Sequence, residues 1–216
     1  MNIALIWDLD GTLLDSYGVI VDSLHQIYLE KGIEIDKKEI LFDVINESVS
    51  AFIKKMEERF GVPFDALKDR YSYISGKEKL NIKAMNNAKE ILEYLRSKGV
   101  KNYVFTHRGV TTETVLKNIG LFDYFDEIVN SLNGFKRKPS PDGLNYLIDK
   151  YNLDKERTYY VGDRPIDIAC ANNAKVKSIM YIPTGGVAKA TGQETFVIKD
   201  LLDIKGLSLW LLDVQH

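Results

Sequence analysis

The chain has 216 residues, 45% hydrophobic and 28% charged, and its 29 Lys and Arg against 31 Asp and Glu leave a formal net charge of −2. A chain of this size and composition buries about 70% of its unfolded surface on folding, which argues against disorder and fibrous repeats, and with no long cationic block it is not built for general nucleic-acid or anionic-membrane binding. Cys170, the single cysteine, closes no intramolecular disulfide, and His25, His107 and His216 form no Cys/His cluster, so a metal here would need oxygen ligands.

The first element is the apolar run Ile3 to Trp7, too short for a signal-peptide core or a membrane span, so a cytoplasmic protein is the expectation. It reads as a buried parallel strand that delivers Asp8-Leu9-Asp10-Gly11-Thr12 to its C-terminal edge. From Ser16 to about Ile82 the apolar spacing is helical: Ile20, Leu24, Ile27 and Tyr28, then Val49, Phe52, Ile53 and Met56, then Phe64, Leu67, Tyr71 and Ile74. From Ala88 onward helices and short strands alternate. Ile91, Leu92 and Leu95 mark a helix ended by Gly99, and Tyr103 to Phe105 a strand. Val115, Leu116 and Ile119 mark a helix that stops at Gly120, and a strand is expected near Glu127 to Val129. The next helix carries Leu144, Leu147, Ile148 and Tyr151, with Ser140 as N-cap and Pro141 at its first position. Tyr159 to Val161 and Ser178 to Ile182 supply two more strands, and Pro183 to Gly186 reads as plain turn chemistry. The alternation predicts an α/β fold with an open parallel sheet, whose ligand sites lie at the C-terminal strand ends. The helical block is an insertion, giving a core of residues 1–15 and 83–216 and a helical cap of residues 16–82.

Four polar groups follow predicted strand ends or lie in adjacent loops: the Asp8/Asp10 pair, Thr106, Lys138 and Asp163 with Asp167. Singly, each has an ordinary reading: turn carboxylates, a cap hydroxyl, a solvated basic loop at Lys136-Arg137-Lys138, a helix cap at Asp163. Together, in an open sheet, they converge on one crevice. The combination fits phosphoryl chemistry. A carboxylate attacking a phosphate dianion faces repulsion that a hard divalent cation relieves, and Mg²⁺ takes oxygen ligands such as Asp8, Asp163 and a nearby carbonyl. Lys138 adds fixed positive charge, while the Thr106 hydroxyl and backbone N–H groups bind phosphate oxygens. Asp10, protonated at the start, donates to the leaving alkoxide and then activates the water that hydrolyses an aspartyl-phosphate.

On these residues the whole chain closely resembles the haloacid dehalogenase superfamily of phosphotransferases. Asp8-Leu9-Asp10-Gly11-Thr12-Leu13 matches its first motif, Thr106 its second, Lys138-Pro139 its third, and Gly162-Asp163 through Asp167 its fourth. The resemblance implies a Rossmann-like core with a small helical cap, as in phosphoglycolate phosphatases and β-phosphoglucomutases. It implies Asp8 as the phosphorylated nucleophile and Asp10 as acid/base and carbonyl donor to Mg²⁺. Asp163 becomes a metal ligand, Asp167 a metal-site residue, direct or through water, and Gly11, Thr106, His107 and Lys138 the phosphate-binding set.

Asp10 argues against carbon–halogen cleavage, whose family members lack an acid there, and Lys54 and Lys55 read as a solvated helix face rather than a Schiff-base lysine. The cap stretch Val44-Ile45-Asn46-Glu47-Ser48 lacks the Arg and Gly that phosphoglycolate-phosphatase relatives often carry, Met85-Asn86 replaces a common Pro-Gly, and His107-Arg108 replaces a frequent Asn-Lys. His107 is expected as an exposed entrance residue, Cys170 as a small core residue, and Trp7, Tyr159 and Tyr160 as core strand positions. The expected activity is a Mg²⁺-dependent, phosphoglycolate-phosphatase-like phosphomonoesterase acting on a small phosphorylated metabolite. A hexose-phosphate mutase and a non-catalytic phosphoester-binding module are the rivals.

Overall fold

The structure is a computed structural model that describes residues 3–207; residues 208–216 of the expected core, His216 among them, lie outside the described residues. Six strands form one parallel sheet: β1 (Ala4–Trp7), β4 (Lys101–Phe105), β5 (Glu127–Val129), β6 (Thr158–Gly162), β7 (Lys177–Tyr181) and β8 (Phe196–Ile198). Their order is β5-β4-β1-β6-β7-β8. Every residue of β1 is buried, as a strand covered on both faces requires. Leu5 and Trp7 pack on one face with α5 (Ala88–Ser97) and α6 (Thr112–Asn118). Ala4 and Ile6 pack on the other with α7 (Asp142–Tyr151) and α8 (Pro165–Ala174). The alternation of strand side chains thus builds two cores from one strand.

β1 is the topological switch point: the chain leaves it to β4 and β5 on one side and returns to β6, β7 and β8 on the other. Trp7 pairs in register with Val104 of β4 and with Val161 of β6. That register brings the residues just past the three strand ends, Asp8, Thr106 and Asp163, to one crevice.

The α/β fold, its parallel sheet and its helical cap agree with expectation. The cap holds α1 (Tyr17–Leu29), α2 (Lys37–Asn46), α3 (Val49–Phe60) and α4 (Phe64–Lys77), around a core of its own that includes Ile20, Leu24, Phe52 and Met56. It is joined to the sheet by a two-stranded antiparallel ribbon, β2 (Leu14–Asp15) with β3 (Lys83–Ala84).

Several local expectations need correction. α7 begins at Asp142 with Pro141 at its N-cap, one residue later than expected, and the Ser140 hydroxyl bonds the Asp142 carboxylate instead of capping the helix. Asp163 does not cap α8; Arg164 occupies that position. Lys54 and Lys55 are exposed, as expected of a solvated helix face, and Lys55 also pairs with the buried Asp43 carboxylate of α2. Cys170 is the core residue expected: it is fully buried, and burial pushes its thiol up to about 12.

Candidate active site

Asp8 continues the β1 ladder, its N–H donating to the Val161 carbonyl at 2.8 Å, and this places its carboxylate at the sheet edge with 1% of the residue exposed. Lys138 Nζ donates to Asp8 Oδ1 at 2.7 Å and to Asp167 Oδ1 at 2.8 Å, from a fully buried side chain. The ammonium also lies 5.4 and 5.2 Å from the ring centres of Phe105 and Tyr160. Tyr160 is more than packing, since its hydroxyl donates to the Phe105 carbonyl at 2.9 Å beneath that ammonium. Of the basic loop Lys136-Arg137-Lys138, the third residue alone is buried.

Asp8, Asp163 and Asp167 form a carboxylate cluster capable of coordinating a metal ion. One oxygen from each lies within 4.8 Å of the others, and all three residues are buried. Asp8 Oδ2 is buried without a hydrogen-bond partner, with the Arg164 guanidinium 3.5 Å away. A buried carboxylate oxygen left bare is costly, so three such carboxylates with a spare oxygen fit a hard, oxygen-seeking divalent cation. The protonation balance agrees. Burial, with Asp167 adding like charge, raises the Asp8 carboxyl despite Lys138. Burial also lifts Asp163 to about 7, with Arg164 opposing and the Asp167 and Asp8 carboxylates adding to the rise. Asp167 alone is lowered: burial would raise it, but the Lys138 and Arg164 charges and hydrogen bonds from both prevail.

Asp163 is held by two hydroxyls, Thr12 donating to Oδ1 at 3.0 Å and Tyr17 to Oδ2 at 2.6 Å. The intervening turn needs Gly11: its φ is +83°, and a Cβ there would meet Tyr17 Cε2 at 2.3 Å and Asp163 Oδ2 at 2.4 Å.

Asp10 lies apart from the three-carboxylate group. The Arg108 side chain grips its carboxylate through Nε and Nη2 and reaches Thr111 with Nη1 at 3.0 Å. Burial would raise Asp10, but the Arg108 charge and hydrogen bonds hold it below the usual carboxylate range. The expectation of an Asp10 protonated at the start is therefore corrected: this conformation holds it ionised. His107 is corrected too. It is half-buried rather than an exposed entrance residue, and its Nε2 accepts the Lys138 backbone N–H at 2.7 Å. Burial and the nearby Lys138 charge push its imidazole down to about 2, so it stays a neutral acceptor. Thr106 is buried at the end of β4, and its hydroxyl oxygen accepts the Arg108 N–H at 3.2 Å.

Above these groups lies a cavity of about 440 Å³ between core and cap, lined by Asp8, Asp10, Thr106 and Arg108 from below and Tyr17 and Tyr71 from the cap. The structure thus brings Asp8, Asp10, Thr106, Lys138, Asp163 and Asp167 to one crevice, with Gly11 and His107 at its turns. Sequence reasoning missed Tyr17 and the grip of Arg108 on Asp10, because these partners stand 146 and 98 positions apart in the chain.

The family model for haloacid dehalogenase-like hydrolases matches residues 5–181. The chain is 27% identical over 184 residues to a phosphoglycolate phosphatase of Aquifex aeolicus, covering 82% of this chain and 84% of that one. It is 26% identical over 212 residues to the pyrophosphatase PpaX of Halalkalibacterium halodurans, covering 94% and 96%. Among solved structures, a HAD family hydrolase from Deinococcus radiodurans with bound phosphate and sodium superposes with a TM-score of 0.78 at 20% identity, over 95% of this chain and 94% of that one. The match to the family model over most of the chain, on a sheet that gathers its motif residues at one edge, shows that this chain belongs to the haloacid dehalogenase-like hydrolases.

Proposed function

We propose that the protein is a Mg²⁺-dependent phosphatase that hydrolyses a small phosphorylated metabolite through an aspartyl-phosphate on Asp8, nearest in kind to the phosphoglycolate phosphatases. The observation that carries this reading is Asp8 Oδ2: a buried oxygen with no hydrogen-bond partner, on a carboxylate anchored through its other oxygen by Lys138, facing the cavity. Asp163, Asp167, the Asp8 carboxylate and the Asp10 carbonyl would hold Mg²⁺, which supplies charge relief between the nucleophile and the phosphate dianion.

The chain's own residues do the rest. Lys138 fixes the nucleophile and neutralises the phosphoryl oxygens, and the Thr106 hydroxyl with the His107 N–H completes the phosphate cradle, whereas Gly11, expected in that set, donates its N–H to the Leu14 carbonyl at 2.9 Å and serves the turn instead. Asp8 attacks phosphorus, the ester oxygen leaves with a proton from Asp10, and water activated by Asp10 cleaves the acyl phosphate to regenerate Asp8. As an ionised carboxylate Asp10 is ready for the second step; for the first, Arg108 must release it and it must take up a proton from solvent, which it then passes to the leaving oxygen. Residues 16–82 serve as the cap whose closure excludes bulk water, with residues 1–15 and 83–216 as the catalytic core.

The test is phosphate release from a panel including phosphoglycolate, sugar phosphates, nucleotides and pyrophosphate. Release should require Mg²⁺, stop with EDTA, and fall at least about 1000-fold in Asp8→Asn, the scale on which loss of a covalent nucleophile acts. Undiminished turnover by Asp8→Asn would overturn the mechanism. Interconversion of sugar-phosphate isomers without phosphate release would assign a mutase instead.

A further inference from the structure

The carboxylate of Asp163 is gripped from two sides, and one grip comes from the cap. Thr12 belongs to the turn that follows β1, whereas Tyr17 is the first residue of α1. That helix supplies Ile20, Leu24, Ile27 and Tyr28 to the cap's own core. Tyr17 therefore stands where the cap leaves the ribbon, with its ring against Gly11 and its hydroxyl 2.6 Å from Asp163 Oδ2.

The contact has a physical purpose. Asp163 shares a space of 4.8 Å with the oxygens of Asp8 and Asp167, so repulsion among three carboxylates favours any rotation that separates them. Two hydroxyl donors on its two oxygens oppose that rotation. Each carboxylate oxygen offers two lone pairs, so accepting from Tyr17 leaves Oδ2 able to bind a cation as well.

We propose that Tyr17 is a positioning residue whose hydroxyl holds the Asp163 carboxylate in its cation-binding orientation, so that cation affinity depends on the first helix of the cap. The inference rests on the proposed function only in taking Asp163 as a cation ligand. It makes α1 part of the metal site: a displacement of the helix start that breaks the Tyr17–Asp163 bond weakens the site, and a seated α1 assembles it.

The test is calorimetric titration of the full chain with Mg²⁺ alone, without ester, for the wild type, Tyr17→Phe and Tyr28→Phe. Tyr17→Phe keeps the ring against Gly11 and removes only the hydroxyl. Tyr28 lies in the same helix with a buried hydroxyl that has no hydrogen-bond partner, so it reports any general softening of α1. Tyr17→Phe should weaken Mg²⁺ binding about tenfold, the lower end of the effect of a lost partner to a metal ligand, with its metal-free circular dichroism unchanged. Tyr28→Phe should match the wild type. Equal affinity in Tyr17→Phe and wild type overturns the proposal, as does an equal loss in Tyr28→Phe or a wild type that binds no Mg²⁺. A wild type that binds Mg²⁺ but hydrolyses no ester overturns the phosphatase reading, while the affinity ratio still decides the role of Tyr17.

Discussion

Asp163 links this site to pH. Burial raises its carboxyl to about 7, with Arg164 opposing and Asp167 and Asp8 adding to the rise. For a carboxyl raised on folding, the stabilising contribution is complete below its unfolded value of 3.8 and is lost as pH climbs through about 7. The metal-free chain should therefore become less stable between pH 5 and pH 8. Cation binding needs the carboxylate and expels that proton, so Mg²⁺ affinity should rise about tenfold from pH 6 to pH 8, with proton uptake by the buffer at the lower pH. Calorimetry in two buffers of different ionisation heat measures both; an affinity flat across this range, with no proton released, would show that Asp163 is already ionised. The identities of Asp8, Thr106 and Asp163 were legible because each directly follows an apolar run, where a parallel strand must end. Their partners were not. Nothing in the spacing of the chain announces that Tyr17 meets Asp163 or that Arg108 meets Asp10, since such pairings exist only once the sheet order is known.

The strands and helices divide in the same way. β1, β4, β6 and β7 were readable because each carries a short buried run of apolar and aromatic residues, as a strand covered on both faces requires, and α5 because Ile91, Leu92 and Leu95 form one stripe closed by Gly99. α2 was not, for its apolar residues surround the helix: Ile40, Val44 and Ile45 are buried while Phe42 is 44% exposed. β8 has three residues with Val197 turned outward, and the ribbon strands β2 and β3 have two each, too few to show any period. Within β1, Trp7 links two strands by more than its ladder. Its indole N–H donates to Asn102 Oδ1 of β4 at 2.9 Å, with both side chains buried. Trp7→Phe removes the donor, strands the amide oxygen and leaves a void, and should cost about 2–3 kcal/mol of unfolding free energy. Urea denaturation measures it. A loss under about 0.5 kcal/mol would mean that the neighbouring groups repack and re-satisfy Asn102.

At the scale of the molecule, the apolar interior of the described residues is three clusters: two flank the sheet, and the third is built entirely from residues of the cap. Insertion after β1 was legible, because a long helical pattern interrupts a chain whose remainder alternates strand and helix. What the spacing did not reveal is that the two parts keep largely separate apolar clusters, with a cavity of about 440 Å³ between them. Hydrophobic burial supplies the cooperativity of folding, so parts that do not share a core open separately. Hydrogen exchange followed by mass spectrometry in low urea should resolve this. Amides of β1, β4 and β6 should exchange only through global unfolding. Amides of α1 to α4 should exchange through a distinct, lower-energy opening that leaves the sheet protected. Mg²⁺ with orthovanadate, a mimic of the phosphoryl group in transfer, should slow exchange at the start of α1 and in α3 and α4 more than in β7 or β8, because ligands in the cavity are sandwiched between cap and core. One shared exchange free energy for sheet and cap at every urea concentration would make the chain a single cooperative unit. Access to Asp8 would then depend on side-chain motion at the cavity mouth rather than on movement of the cap.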